Sequence, residues 1–215
     1  MDIRNKGLAI FIGLILGTSF TIQADTLLGA DLEIGTWFPD YDAGSVSETV
    51  KGKSNSIFVS ATIEHPAPLL PNIKVSLSKV DSSVYGYTKI DYTGYYEVLD
   101  NDLVSIDVGL GVSQFQDGHY LNQSFSEMLP HLYVDAEISL PFSNTTAYTD
   151  IHYLSFDDNS LTDAIVGLRY DFNLIAADIG VKAGYRMQHV DVEDFDHLSF
   201  DIKTDGVFVG LQADF

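Results

Sequence analysis

Apolar residues recur at every second position along most of the chain. The cleanest stretch sets Val104, Ile106, Val108, Leu110 and Val112 against Ser105, Asp107, Gly109, Gly111 and Ser113. Successive side chains of a strand point to opposite faces, so this period predicts a strand with one oily and one polar face. The pattern predicts ten strands: 30–38, 57–64, 73–78, 90–98, 104–113, 132–140, 147–153, 164–172, 178–187 and 206–215. The third and seventh are the shortest on pattern, and without them the count is eight. Between strands the chain changes character. Segments 39–55, 81–87, 115–128, 156–161 and 188–205 read as longer loops, although part of the last can extend the final strand. Short turns fall at the prolines Pro66, Pro68 and Pro71, at 99–102, at 141–144 and at 173–176, built from residues that turns favour.

Long and short connections therefore alternate. Strands of about 9–11 residues, an even strand number and this alternation suit a bacterial transmembrane barrel. The oily positions carry no charged residue. The opposite positions carry Asp31, Glu33, Glu64, Asp91, Glu97, Asp107, Asp135, Glu137, Asp150, Asp171, Asp178 and Asp214, against Lys74, Arg169, Lys182 and Arg186. A charge on the lipid face costs up to ~2–4 kcal/mol at mid-membrane. In a soluble barrel the oily face packs inside, and acids buried in a dry core are very costly. The expected fold is one all-β, single antiparallel transmembrane β-barrel of ten strands, with short periplasmic turns and longer outer loops. Phe38, Tyr153 and Tyr185 near outer strand ends, and Phe142, Tyr170, Phe172 and Phe215 near inner ends, fit aromatic girdles. The last strand ends on Leu211, Ala213 and Phe215; it resembles the closing strand of bacterial outer-membrane barrels, which the barrel-assembly machinery reads as a signal.

Composition narrows the class further. The 215 residues fit one domain and contain no cysteine, so disulfides and thiolate metal sites are excluded. Formal charge is −20, which argues against a nucleic-acid partner. With 46% hydrophobic and 12% aromatic residues the acidity does not signal disorder. At the N-terminus, Arg4 and Lys6 precede the apolar run 8–16, and Ile22-Gln23-Ala24 offers a cleavage site. This predicts a secretory signal over 1–24 and a mature domain over 25–215, since the run 7–22 is shorter than the ~20 residues of a spanning helix.

The polar face predicts a lumen network of Asp31, Glu33, Lys74, Glu97, Asp107, Asp135, Glu137, Asp150, Arg169, Lys182 and Arg186. Inward glycines such as Gly35, Gly109, Gly111 and Gly184 leave room for long side chains opposite. Ten strands lie near the size at which side chains fill a barrel. An acid surplus would instead make an open lumen a narrow cation-preferring pore. An enzyme acting on lipid A or peptides is a third class. It rests on Asp150 and His152, two residues apart on one face, and on His119, His131, His189 and His197, expected in or near outer loops. No nucleophile motif accompanies them, so no catalytic residue is assigned and no cofactor is expected. The acidic segments 191–196 and 157–159 offer oxygens to hard cations, at spacings unlike an EF-hand.

The stretches 95–101, 105–110, 157–159, 183–186 and 205–215, which include Tyr95-Tyr96-Glu97 and Gly184-Tyr185-Arg186, resemble a family of small proteobacterial outer-membrane β-barrel proteins of unassigned function. The resemblance implies fold and a Gram-negative outer-membrane location, and carries no activity. Its implied partners are outer-membrane lipid with lipopolysaccharide, the assembly machinery and periplasmic chaperones. The expected role is structural or surface interaction around a side-chain-filled lumen.

Overall fold

Backbone polar groups in hydrocarbon must all be paired, and the fold meets that demand by closing a sheet on itself. The computed structural model describes residues 28–215 except 45–48, 68, 83–84, 121–122, 157–158, 174–177 and 196–197. In order, its strands are β1 (Gly29–Gly44), β2 (Thr49–Lys53), β3 (Asn55–Glu64), β4 (Asn72–Asp81), β5 (Tyr85–Asp100), β6 (Val104–Tyr120), β7 (Gln123–Ser139), β8 (Thr145–Phe156), β9 (Asn159–Asn173), β10 (Asp178–Phe195) and β11 (Leu198–Asp214). β2 and β3 are one stave of the barrel. Both pair with β1 in a single register, Asp40 with Lys53 and Trp37 with Ser56. At the break between them the Ser54 N–H still donates to the Pro39 carbonyl at 3.0 Å. Ten staves result, each antiparallel to its sequence neighbours, and β1 pairs with β11 to close the barrel. Ala30 and Phe215 exchange backbone hydrogen bonds, which brings both chain ends to one rim, here the terminal rim. The ten-strand expectation holds, and the third and seventh predicted strands are real as β4 and β8.

Which side chains face out follows the pleat. Ile34, Leu110, Leu132, Val134, Val166, Leu168, Val181, Val207, Val209 and Leu211 stand on the outer surface, while Trp37, Phe58, Asp91, Tyr133, Asp150, Lys182 and Phe208 are buried inside. The girdle aromatics Phe38, Tyr153, Tyr185, Phe142, Tyr170, Phe172 and Phe215 all face outward. An apolar exterior around a polar interior is the arrangement a barrel needs in lipid.

The strands are longer than their apolar faces. β6 and β7 each run 17 residues. At roughly 3.4 Å per residue and a tilt near 40° that is about 44 Å of height, against an apolar band about 25 Å tall. The surplus lies at the rim away from the termini, the far rim. The longer outer connections are therefore mainly hairpin arms. Segments 49–53, 85–87, 115–120, 123–128 and 198–205, assigned to loops on pattern, are strand. The reason is visible on β4 and β11. In the band, Ile73 and Val75 face out and Lys74 faces in; above it, Lys79 faces out and Val80 is buried within. Likewise Val207 and Val209 face out, whereas Lys203 is exposed and Ile202 buried. The pleat keeps its phase while the solvent changes, so hydrophobicity reverses its phase. The far half is packed like a soluble barrel around Tyr41, Tyr85, Tyr87, Phe115, Tyr120, Phe125, Leu161, Val190 and Ile202. Rings meet edge-on at 5.0 Å (Tyr41–Tyr85) and 5.4 Å (Tyr87–Phe115).

Since Lys79 and Lys203 sit on paired strands, trypsin is expected to leave the folded protein uncut at both. The digest is read by mass spectrometry of barrel refolded into vesicles. Rapid cleavage at either lysine, with the lipid-embedded part intact, would return these arms to irregular loop.

Candidate functional site

The lumen holds the chain's concentrated polar chemistry, in three layers. The layer nearest the terminal rim surrounds a cavity of about 220 Å³. Nine of the eleven network residues line it: Asp31, Glu33, Lys74, Asp107, Asp135, Glu137, Asp150, Arg169 and Lys182. Arg169 grips Glu137 with two nitrogens at 2.7 and 3.0 Å and reaches Asp171 at 3.0 Å. Lys182 pairs with Glu33 at 3.0 Å and lies 4.1 Å from the centre of the Tyr148 ring. Lys74 crosses the lumen to Asp150 and to the Tyr133 hydroxyl. The other two predicted members sit elsewhere. Glu97 is exposed at the rim, where it accepts from Asn72 at 2.9 Å, and Arg186 lies one layer deeper.

In the middle layer the charges are paired with one another. Asp163 is its centre: it accepts from Lys89 at 2.8 Å, from Arg186 at 2.9 and 2.7 Å, and from Gln188 at 2.7 Å. Lys89 also donates to Asp91 at 2.9 Å. Two cations and two anions cancel here, as burial of charge requires. Arg186 stacks 5.1 Å from the Trp37 ring, whose indole N–H donates to the Gly206 carbonyl.

A second chain runs from Asp91 back toward the cavity. The Ser113 hydroxyl donates to Asp91 at 2.6 Å and lies 2.9 Å from His131 Nδ1. His131 Nε2 is 3.1 Å from His152 Nδ1, and His152 Nε2 is 3.1 Å from Asp150. With the Ser113 proton committed to Asp91, His131 donates from Nδ1 and accepts at Nε2. His131 fits over Gly111, where a Cβ would collide with its ring. The donors of Asp91, His131 and His152 lie within 4.8 Å of one another and are of the types that hold zinc or copper. Each already has a partner, however, and the Lys89 ammonium occupies the carboxylate that such an ion would need.

The third layer is the aromatic packing of the far half. It joins the middle layer where the Tyr87 hydroxyl donates to Gln188.

Several expectations are corrected. His131 was placed near an outer loop and is buried mid-barrel, as is His152. Both face inward from β7 and β8, where the pleat aims them at one another. His119 lies on β6, and His189 lies on β10, 2.9 Å from Asp201. His197, Asp157 and Asp158 lie outside the described residues, as does the expected signal segment. Sequence pattern alone missed Lys89 and Asp163, which fall one residue before the predicted strands at 90 and 164. Extending the alternation backward, Tyr85-Tyr87-Lys89-Asp91 and Leu161-Asp163-Ile165, would have found them.

No family model matches the chain, and no curated protein sequence matches it. Among solved structures it is similar to Neisserial surface protein A, at 13% identity over 87% of this chain and 97% of that one, with a TM-score of 0.40. The outer membrane protease OmpT from Escherichia coli gives 8% identity, coverage of 92% and 99%, and a TM-score of 0.42. The translocator domain of autotransporter NalP from Neisseria meningitidis gives 12%, 97% and 96%, and 0.40.

Removing the central acceptor tests the middle layer. Asp163→Ala strands Lys89, Arg186 and Gln188, and is expected to cost about 3–5 kcal/mol. Asp171→Ala, which removes one partner of Arg169 beside the open cavity, is expected to cost about 1 kcal/mol or less. Urea titration of protein refolded into vesicles compares the two.

Proposed function

We propose that this protein is a β-barrel of the Gram-negative outer membrane whose lumen does not conduct and whose work is done at its outer surface. One observation carries the reading: two successive layers of inward side chains lie in the lumen. Lys89, Asp91, Asp163 and Arg186 close it with paired charge, and Tyr41, Tyr85, Tyr87 and Phe115 close it with packed rings. Such a barrel anchors the projecting far-half cylinder, with lipopolysaccharide as its surrounding lipid, and presents that cylinder to the exterior. In this reading residues 1–24 direct export, periplasmic chaperones carry the chain, and Leu211, Ala213 and Phe215 face lipid on the strand offered to the assembly machinery. Leu211 and Phe215 stand exposed on the exterior, which suits that role.

The pore reading has less support, because an ion leaving the acidic cavity meets a charge-neutral layer of paired side chains. The enzyme reading has less too. Ser113, His131 and His152 are buried and committed to one another, and they present no free group to a substrate.

The test is conductance in a planar bilayer, using refolded protein whose gel migration shifts on heating as a folded barrel's does. Silence is expected from such a sample. Discrete cation-selective steps would overturn the closed lumen and restore the pore.

A further inference from the structure

Between the middle layer and the terminal-rim cavity runs an unbroken line of hydrogen bonds from one carboxylate to another. Its four links are Asp91–Ser113 at 2.6 Å, Ser113–His131 at 2.9 Å, His131–His152 at 3.1 Å and His152–Asp150 at 3.1 Å. Each link needs one proton. The groups between the carboxylates bring three, one on the serine hydroxyl and one on each neutral imidazole. The carboxylates bring none, because each faces an ammonium as an anion, Asp91 that of Lys89 and Asp150 that of Lys74.

No rearrangement within the line removes the shortfall. The Thr93 hydroxyl, 3.1 Å from His131 Nε2, adds one proton but also one more link. Exchanging tautomers only moves the gap along the line. With neutral rings, one link always sets two lone pairs face to face. His131 and His152 are both buried, and burial makes an unmade hydrogen bond costly.

We propose that the His131–His152 pair holds a fourth proton, so that His152 is an imidazolium donating from Nδ1 to His131 and from Nε2 to Asp150, and that this proton is a pH-sensitive latch between β7 and β8. The surroundings suit the charge. Asp150 lies on the same strand as His152, and His131 and Tyr133 face it from β7, the Tyr133 ring at 5.2 Å. A small cavity beside it is lined by Glu33 from β1, Lys74 from β4, Asp91 from β5, Asp163 from β9 and Arg186 from β10. With Lys89 counted beside Asp91, four acids stand against three bases, and one more positive charge balances them.

The position gives this proton leverage. Strand pairing between β7 and β8 runs only from Leu132–Tyr153 to Ser139–Thr146, the shortest seam of the barrel among the described residues. It stops there although β7 begins at Gln123 and β8 continues to Phe156. Pro130, just beyond the last pair, has no N–H to contribute. His131 is the first β7 residue past the pairing, and its bond to His152 ties the two strands side chain to side chain at that point.

Folding then takes up a proton that the unfolded chain, whose imidazoles titrate at about pH 6.5, does not hold above that pH. A proton bound in the folded state alone makes stability greatest at low pH and lowers it as pH rises, by about ten-fold in the folding equilibrium per pH unit. The latch does not depend on whether the lumen conducts.

Two measurements on refolded, heat-shifting protein test it. Nitrogen-15 spectra of histidine-labelled wild-type protein in micelles at pH 7.5, assigned through bonds, read the protonation directly. Both ring nitrogens of His152 are expected to carry protons. Urea titration in vesicles between pH 7 and 9 reads the linkage. The wild-type folding equilibrium is expected to fall roughly ten-fold per pH unit relative to Ser113→Ala. Without the serine hydroxyl, His131 can hold its proton at Nε2, and the two remaining links are met by two neutral rings. A serine that only packs would lower stability equally at every pH. An unprotonated ring nitrogen on His152 in the folded wild type overturns the proposal, and so do parallel pH profiles of wild type and Ser113→Ala. Uptake of one zinc ion per barrel, seen at both rings in the spectra, also overturns it, since a metal would then take the contact assigned to the proton.

Discussion

Closure of the sheet governs everything else in this structure. β1 and β11 pair from Asp31–Asp214 to Gly44–Asp201, so neither presents an open edge. In lipid an unpaired backbone group costs several kcal/mol, and a sheet with free edges could not persist there. Once the ring is closed, every strand has a defined inside and outside. A shift of one residue in any register would turn charges into hydrocarbon and leucines into the lumen.

A single pleat then serves two surroundings. Within the apolar band the interior must be polar, because the exterior is not. In the far half the exterior is charged and the interior is aromatic. Tyr85 and Tyr87 inside, followed along the same face by Lys89 and Asp91, mark the passage from one regime to the other on β5. The buried charges are tolerable because they are neutralised locally, Asp163 holding both Lys89 and Arg186. Tyr87 and Gln188 connect that charge to the aromatic packing above it, so the two layers are joined.

The terminal side of these layers differs in kind. There the acids outnumber the bases, and the bases are spent on Glu33, Glu137 and Asp150. The same strands thus produce a finished, neutral interior at mid-barrel and an unfinished, acidic one below it. That contrast sets the two ends of the molecule apart, the projecting cylinder at one and the acidic cavity at the other.

Much of this was legible without coordinates. Period-two alternation determined the strand number and the facing of residues as different as Trp37, Phe58, Lys182 and Leu168, because the pleat is a local property. Nine of the eleven residues expected in the lumen network stand around the cavity, and Glu97 and Arg186 do not. Strand ends were not legible, because the search followed one hydrophobic phase and that phase reverses where the barrel leaves lipid, between Leu77 and Val80 or between Ile202 and Val207. Lys89, His131 and Asp163 each fall one residue before the start of a predicted strand. The partnerships were not legible at all. Lys89 meets Asp163 across 74 residues of chain and Lys74 meets Asp150 across 76. No local spacing encodes these meetings; they are decided by which staves face one another across the lumen once strand number, tilt and stagger have closed the barrel. The sequence alone determined what each strand offers to the inside, and only closure decided which of those groups would meet.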